Sequence, residues 1–133
     1  MKPHSILIGP LVMDRLLASQ VVSDHISNRM FALVADNRTK FPFLVFTRES
    51  INEGKRTKDG CISDIVTFRI DTLAATYNES VLLADAVREC LEVPVFANND
   101  IIVRDTFLAG STESWDSDTY IQQLRFTCEV TNA

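Results

Sequence analysis

Between Val66 and Leu91 the hydrophobic period changes once, and that change constrains the fold more than anything else in the chain. Val66, Phe68 and Ile70 alternate with Thr67, Arg69 and Asp71, the two-residue repeat of a half-buried strand. Thr76-Tyr-Asn-Glu79 then has capping-box form: the threonine oxygen can accept from the amide three residues on, and the glutamate can reach back to the Thr76 amide. Beyond it Val81, Ala84, Val87 and Leu91, flanked by Leu83 and Cys90, recur at helical spacing until Pro94 stops the helix. A strand that feeds directly into an amphipathic helix must have that helix packed back on its apolar face.

The flanking segments extend this unit. Pro10 suits a first helical turn, and Leu11 to Gln20 places Val12, Met13, Leu16 and Leu17 on one face; Val21 to Ser27 reads as an irregular continuation. Met30 to Val34 reads as a short strand, Asp36 to Lys40 as a polar loop, and Phe43 to Ser50 as a second strand behind Pro42. Gly54 and Gly60 bracket a charged connection to the strand Ile62 to Ala74, so these two strands are expected to form an antiparallel hairpin. Ile101 to Ala109 and Tyr120 to Val130 complete the set, joined by the polar loop Gly110 to Thr119. In the last strand Leu124, Phe126, Cys128 and Val130 alternate with Gln123, Arg125, Thr127 and Glu129, the pattern of a sheet covered on one side. The expected fold is α+β: one domain over residues 1–133, a mainly antiparallel sheet of four to five strands, and two helices on one face, in the order α-β-β-β-α-β-β.

Charge and cysteine usage bound the function. Asp and Glu outnumber Lys and Arg by 18 to 13, a net charge of -5, which is the wrong sign for a sequence-independent grip on phosphates. The one basic cluster, Lys55-Arg56-Thr57-Lys58, is followed by Asp59 and has no interleaved aromatic to stack bases, so it reads as a solvated hairpin loop. Cys61, Cys90 and Cys128 show no C-x-x-C spacing and suggest neither a disulfide framework nor a zinc site. Cys90 and Cys128 fall on apolar faces as small core residues, with Cys61 undecided, and a reducing compartment fits best. The run Ile6 to Met13 is broken by Gly9-Pro10, is too short to span a bilayer and lacks a cleavage pattern, so no export is expected.

No catalytic, cofactor or metal constellation emerges. His25 follows Asp24, but adjacent residues rarely aim at each other and no Gly-x-Ser-x-Gly turn supplies a nucleophile. Glu113, Asp116 and Asp118 share one stretch but lack calcium-loop spacing and a later bidentate glutamate. Glu49, Arg69 and Asp71 are the strand-borne charges a small enzyme would use, and they read more simply as cross-strand pairs on a solvated sheet face. Trp115, the one tryptophan, is either an exposed partner anchor or a lid folded over the sheet edge.

Four fragments in order give the chain a family resemblance. Arg29-Met-Phe-Ala-Leu-Val-Ala35 resembles the Arg-Ile-Tyr-Pro-Leu-Val-Ala segment of the tail-completion or tail-terminator family of long-tailed bacteriophages and prophages, and Phe41-Pro-Phe-Leu-Val-Phe46 resembles its Leu-Pro-Tyr-Val-Val-Tyr strand. Phe68 to Tyr77 followed by Ala84-Asp-Ala-Val-Arg88 is similar to its strand, aromatic turn and helix, and Asp116 to Val130 to its closing strand after an acidic loop. Ala32 stands where the family often has proline, and the 94–100 link lacks glycine punctuation. The resemblance implies a non-enzymatic virion component without cofactors, assembled in the host cytoplasm and resident in the tail. It implies a ring of copies, commonly six, that stops growth of the tail tube and meets the head-side connector.

Ring closure needs two different patches of one subunit to meet. The residues expected to make subunit or partner contacts are Glu53, Lys55, Arg56, Lys58 and Asp59 in the first charged connection, and Glu113, Trp115, Asp116 and Asp118 in the second. The alternatives are a neck or head-tail joining subunit, a peptide-binding adaptor that uses a sheet edge, or a small enzyme.

Overall fold

The computed structural model describes residues 2–133. A 3-10 turn at Ser5–Leu7 leads into α1 (Ile8–Ala18) and α2 (Gln20–Ile26). Then come β1 (Met30–Ala32), β2 (Phe43–Glu53), the two-residue strands β3 (Arg56–Thr57) and β4 (Gly60–Cys61), and β5 (Asp64–Ala74). Helix α3 (Tyr77–Leu91) precedes β6 (Val95–Ala97), β7 (Ile101–Asp116) and β8 (Thr119–Asn132). Six strands form one sheet in the order β1-β2-β5-β8-β7-β6, and β3-β4 makes a second, two-stranded sheet.

This architecture corrects the expected one. The main sheet has six strands and is mixed, because β1 lies parallel to β2 while the other pairs are antiparallel, and there are three helices where two were expected. The third helix arises at Ser19. Its extended backbone (ψ 121°) ends α1, its side chain accepts from the Val22 amide to cap α2, and the chain bends by 89° between the two helical segments. A periodicity that ran on through Val21 concealed that cap. Among the described residues no single helix is long and apolar enough to cross a membrane, and Ile8, Val12, Leu16, Val22 and Ile26 of the bent pair are wholly buried in the core.

The strand-to-helix unit forms as its period dictates. In β5 every second residue from Asp64 to Ala74 is buried, and in β8 Leu124, Phe126, Cys128 and Val130 face the same way. Phe46, Phe68 and Phe126 stack across β2, β5 and β8 with centroids 5.6 and 5.5 Å apart, and Leu83, Val87 and Leu91 of α3 close over them. Thr76 caps α3 by accepting from the Glu79 amide at 3.2 Å. The reciprocal half of the box is absent, because the Glu79 carboxylate lies 3.0 Å from His25 Nδ1 at the end of α2 instead. Val81, assigned to the apolar stripe, is exposed; Ala86 and Ser80 are buried in its stead.

Candidate interface surfaces

The register places the two charged connections at opposite ends of the sheet. Glu53 pairs with Asp64 and Asp64 with Val130 at one end, whereas Ala74 pairs with Tyr120 and Tyr120 with Trp115 at the other.

At the first end Glu53, Lys55, Arg56, Lys58 and Asp59 are all exposed on the β3-β4 hairpin. Glu53 pairs with Arg56, and the Asp59 amide donates to Thr57 Oγ1 at 3.2 Å. The hairpin is tied down beneath these charges. The Gly54 amide donates to the Ser63 carbonyl, the Lys55 amide to Ser63 Oγ, and the buried Cys61 thiol to the Ser63 carbonyl. Gly54 is required by this closeness, since a Cβ there would stand 2.7 Å from Ser63 Oγ. The buried Asp64 carboxylate accepts from the Ser5 hydroxyl at 2.6 Å, which anchors the N-terminal turn to the same end.

The second end differs from its expected form. The stretch Gly110 to Thr119 is not a loop: β7 continues to Asp116, β8 starts at Thr119, and Ser117 and Asp118, at φ 51° and 62°, make a two-residue turn. Positive φ at both central positions is the type I′ geometry whose twist suits a hairpin, here built without the glycine that usually announces it. The outer flank of this arm has no neighbouring strand, because β6 pairs with β7 only at Ile102–Arg104. Every residue from Ser111 to Asp118 is exposed. Trp115 is 57% exposed, so it is a projecting side chain and not a lid.

Glu113, Asp116 and Asp118 do not converge. Glu113 accepts from the Tyr77 hydroxyl and from Gln122, both at 3.0 Å, and these bonds, that from Gln122 foremost, hold its carboxyl below the usual range. The Tyr77 phenol is raised in turn by its own bond to Glu113. Asp116 accepts from Ser117 Oγ. Among the described residues no three His, Cys, Asp or Glu side chains are arranged to hold a metal ion.

The open sheet face carries the charges that an enzyme reading would have used. Glu49, displaced outward by a β-bulge between Arg48 and Ser50, receives Arg125 in a two-pronged pair, its second bond 3.0 Å, and lies 3.6 Å from Arg69. Arg69 also grips Asp71 at 2.8 Å. Because Arg69 and Arg125 stand directly opposite in the β5-β8 register, the bulged glutamate offsets a like-charge pair. The bond from Arg125 lowers the Glu49 pKa, while burial raises that of Asp71. Cys128 is buried and its thiol is pushed up to about 12 by desolvation, as for a core residue; Cys90 is half-buried and likewise raised. His25 and Asp24 do not meet: Asp24 accepts from Gln20.

A surface the sequence reading passed over lies at the arm end, beside β1. Leu33, Val34, Phe41, Phe43 and Leu73 line a groove of about 420 Å³, with Thr119 at its rim. The expected strand Met30 to Val34 stops at Ala32, and Leu33 and Val34 leave the sheet to form the groove's lip.

No family model and no curated protein sequence matches the chain. Its fold does have a solved counterpart. A chain of the virion of a native gene transfer agent particle superposes with a TM-score of 0.75 at 16% sequence identity, covering 90% of this chain and 91% of that one. The match is one of fold.

Proposed function

We propose that the chain is a structural subunit of a phage-like virion, one that works by assembly and not by catalysis. In this reading it forms a ring, a hexamer in the virion, that caps the tail tube, ends its polymerisation and joins it to the head-side connector. The observation that carries the reading is the near-complete fold likeness to a chain of a gene transfer agent virion. The four family-like fragments support it, and the structure gives two of them physical work. Arg29 donates to the carbonyls of Pro42 and His25, which locks α2 to the start of β2, and Thr76 with Tyr77 joins α3 to the arm.

The contact elements in this reading are the hairpin bearing Glu53, Lys55, Arg56, Lys58 and Asp59 and the arm bearing Glu113, Trp115, Asp116 and Asp118. Its acidic balance disfavours capture of passing DNA by a ring lumen. The test is to add purified chain to tail-tube protein polymerising in vitro and to image the products. Tubes of arrested growth with a ring at one end support the reading; unarrested tubes, with the chain bound to connector rings alone, would replace it with a neck subunit.

A further inference from the structure

We infer that the β7-β8 arm of one copy, led by Trp115, docks into the Leu33–Phe41 groove of the next copy, a head-to-tail contact that repeats around an assembly. The inference deepens the ring reading by naming its two faces.

Three observations converge on it. First, the sheet ends in two unlike edges. The outer flank of the arm from Gly110 to Asp116 is unpaired, and at the opposite edge β1 spans only Met30–Ala32, with nothing beyond it. Unpaired edges are templates for another chain, and two different edges on one molecule define a heterologous contact.

Second, both edges carry apolar side chains that folding leaves in water. Leu33 is 72% and Val34 76% exposed beside the groove, and Trp115 is more than half exposed on the arm. Leu33 is also held at φ 68°, with its amide donating to the Phe46 carbonyl at 2.8 Å. A leucine in the left-handed region is costly; here the turn is held by the amide bond to Phe46 and leaves the apolar side chain presented outward at the groove, where a docking partner would bury it. Third, the charge balance favours the contact. From Phe107 to Thr119 the arm has three acids and no base; the groove is lined by Asp71, already gripped by Arg69, and by Asp36, and the loop at its rim adds Arg38 and Lys40, both exposed and outside every ion pair among the described residues. The fitting occupant is therefore a second copy of this chain.

The test uses two full-length variants that spare the core. Trp115→Ala loses the arm's anchor and keeps the groove; Leu33→Asn loses the groove's lip, and asparagine tolerates the left-handed backbone. By sedimentation, wild-type chain is expected to self-associate in a salt-sensitive way, and each variant alone to associate at least about tenfold more weakly. An equal mixture is expected to give a one-to-one dimer and nothing larger, because only one intact arm and one intact groove remain to meet. Wild-type chain that stays monomeric near about 1 mM would overturn the inference. So would a variant that associates like wild type, or a mixture that recovers no dimer, the behaviour of an isologous contact. Tube arrest is scored separately: arrest without this dimer pattern keeps the function and discards the contact, and the converse outcome does the reverse.

Discussion

The two ends of the sheet were alike as sequence, each a polar, charged stretch between strands, and they are built in opposite ways. The Arg56 end has its charges outside and its backbone fastened inside, by Gly54, Ser63, Cys61 and the Ser5–Asp64 bond. The Trp115 end has no such fastening on its outer flank and leaves Trp115, Leu33 and Val34 in water. Charge on a surface is ordinary, whereas large apolar side chains on an unpaired edge are not. Ile6, Leu7 and Ile62 are exposed at the hairpin end too, but beside backbone that is fastened to the body; only the arm end combines exposed apolar side chains with a long unpaired strand flank. That combination argues that the arm end mates with a partner.

The strongest perturbation tests what the ends share. Phe68 is fully buried between Phe46 and Phe126, at the centre of the sheet. Phe68→Ala is expected to cost about 3–5 kcal/mol and to loosen both ends together, as chemical denaturation and amide exchange would show. If exchange rose at one end alone, the ends would not share a single core. Next in size, Gly54→Ala drives a Cβ against the buried Ser63 and is expected to cost about 1–3 kcal/mol. Faster exchange should be confined to Lys55 and Ile62, with the arm amides unmoved. Smaller again, Thr76→Ala removes the α3 cap and is expected to cost about 1 kcal/mol. Because Tyr77 follows the cap and donates to Glu113, this loss should be felt at the arm and not at the hairpin, the mirror image of the glycine variant.

The strand β5, the cap at Thr76, the helix α3 and the alternating β8 were legible because local propensity and tertiary burial agree there. What was illegible fails for identifiable reasons. The Ser117-Asp118 turn carries no glycine, so a tight hairpin read as a loop, and with it ten residues of strand and arm were lost. The segment Val95–Ala97 became β6 only through pairing with β7, a contact three residues cannot advertise. Parallel pairing of β1 with β2 depends on where α1 and α2 return the chain. The exposure of Leu33 and Val34 was equally illegible, because it depends on β1 ending at Ala32 and on the left-handed turn at Leu33, neither of which an apolar run advertises.

The smallest effect concerns the charge cluster midway between the ends. Glu49 ionises more readily in the folded chain than at its ordinary 4.5, chiefly through its bond from Arg125. Its contribution to stability is therefore complete above that value and is lost as pH falls through the lower folded one. Asp71 acts in the opposite sense: burial raises it above 3.8, so its effect is most favourable in acid and fades as pH rises through the raised value. Glu49→Gln removes the first contribution, leaves Arg69 facing Arg125 without its counter-ion, and eases the repulsion that helps to raise Asp71. With the Arg125 side chain 41% exposed, solvent screening limits the loss to about 1 kcal/mol or less near neutral pH. Denaturant midpoints of variant and wild type should converge as pH drops well below 4.5, because protonated glutamate and glutamine then present the same charge. A gap that persisted in acid would show that Glu49 acts by packing at its bulge, and a gap accompanied by faster exchange at one end alone would tie the cluster to that end.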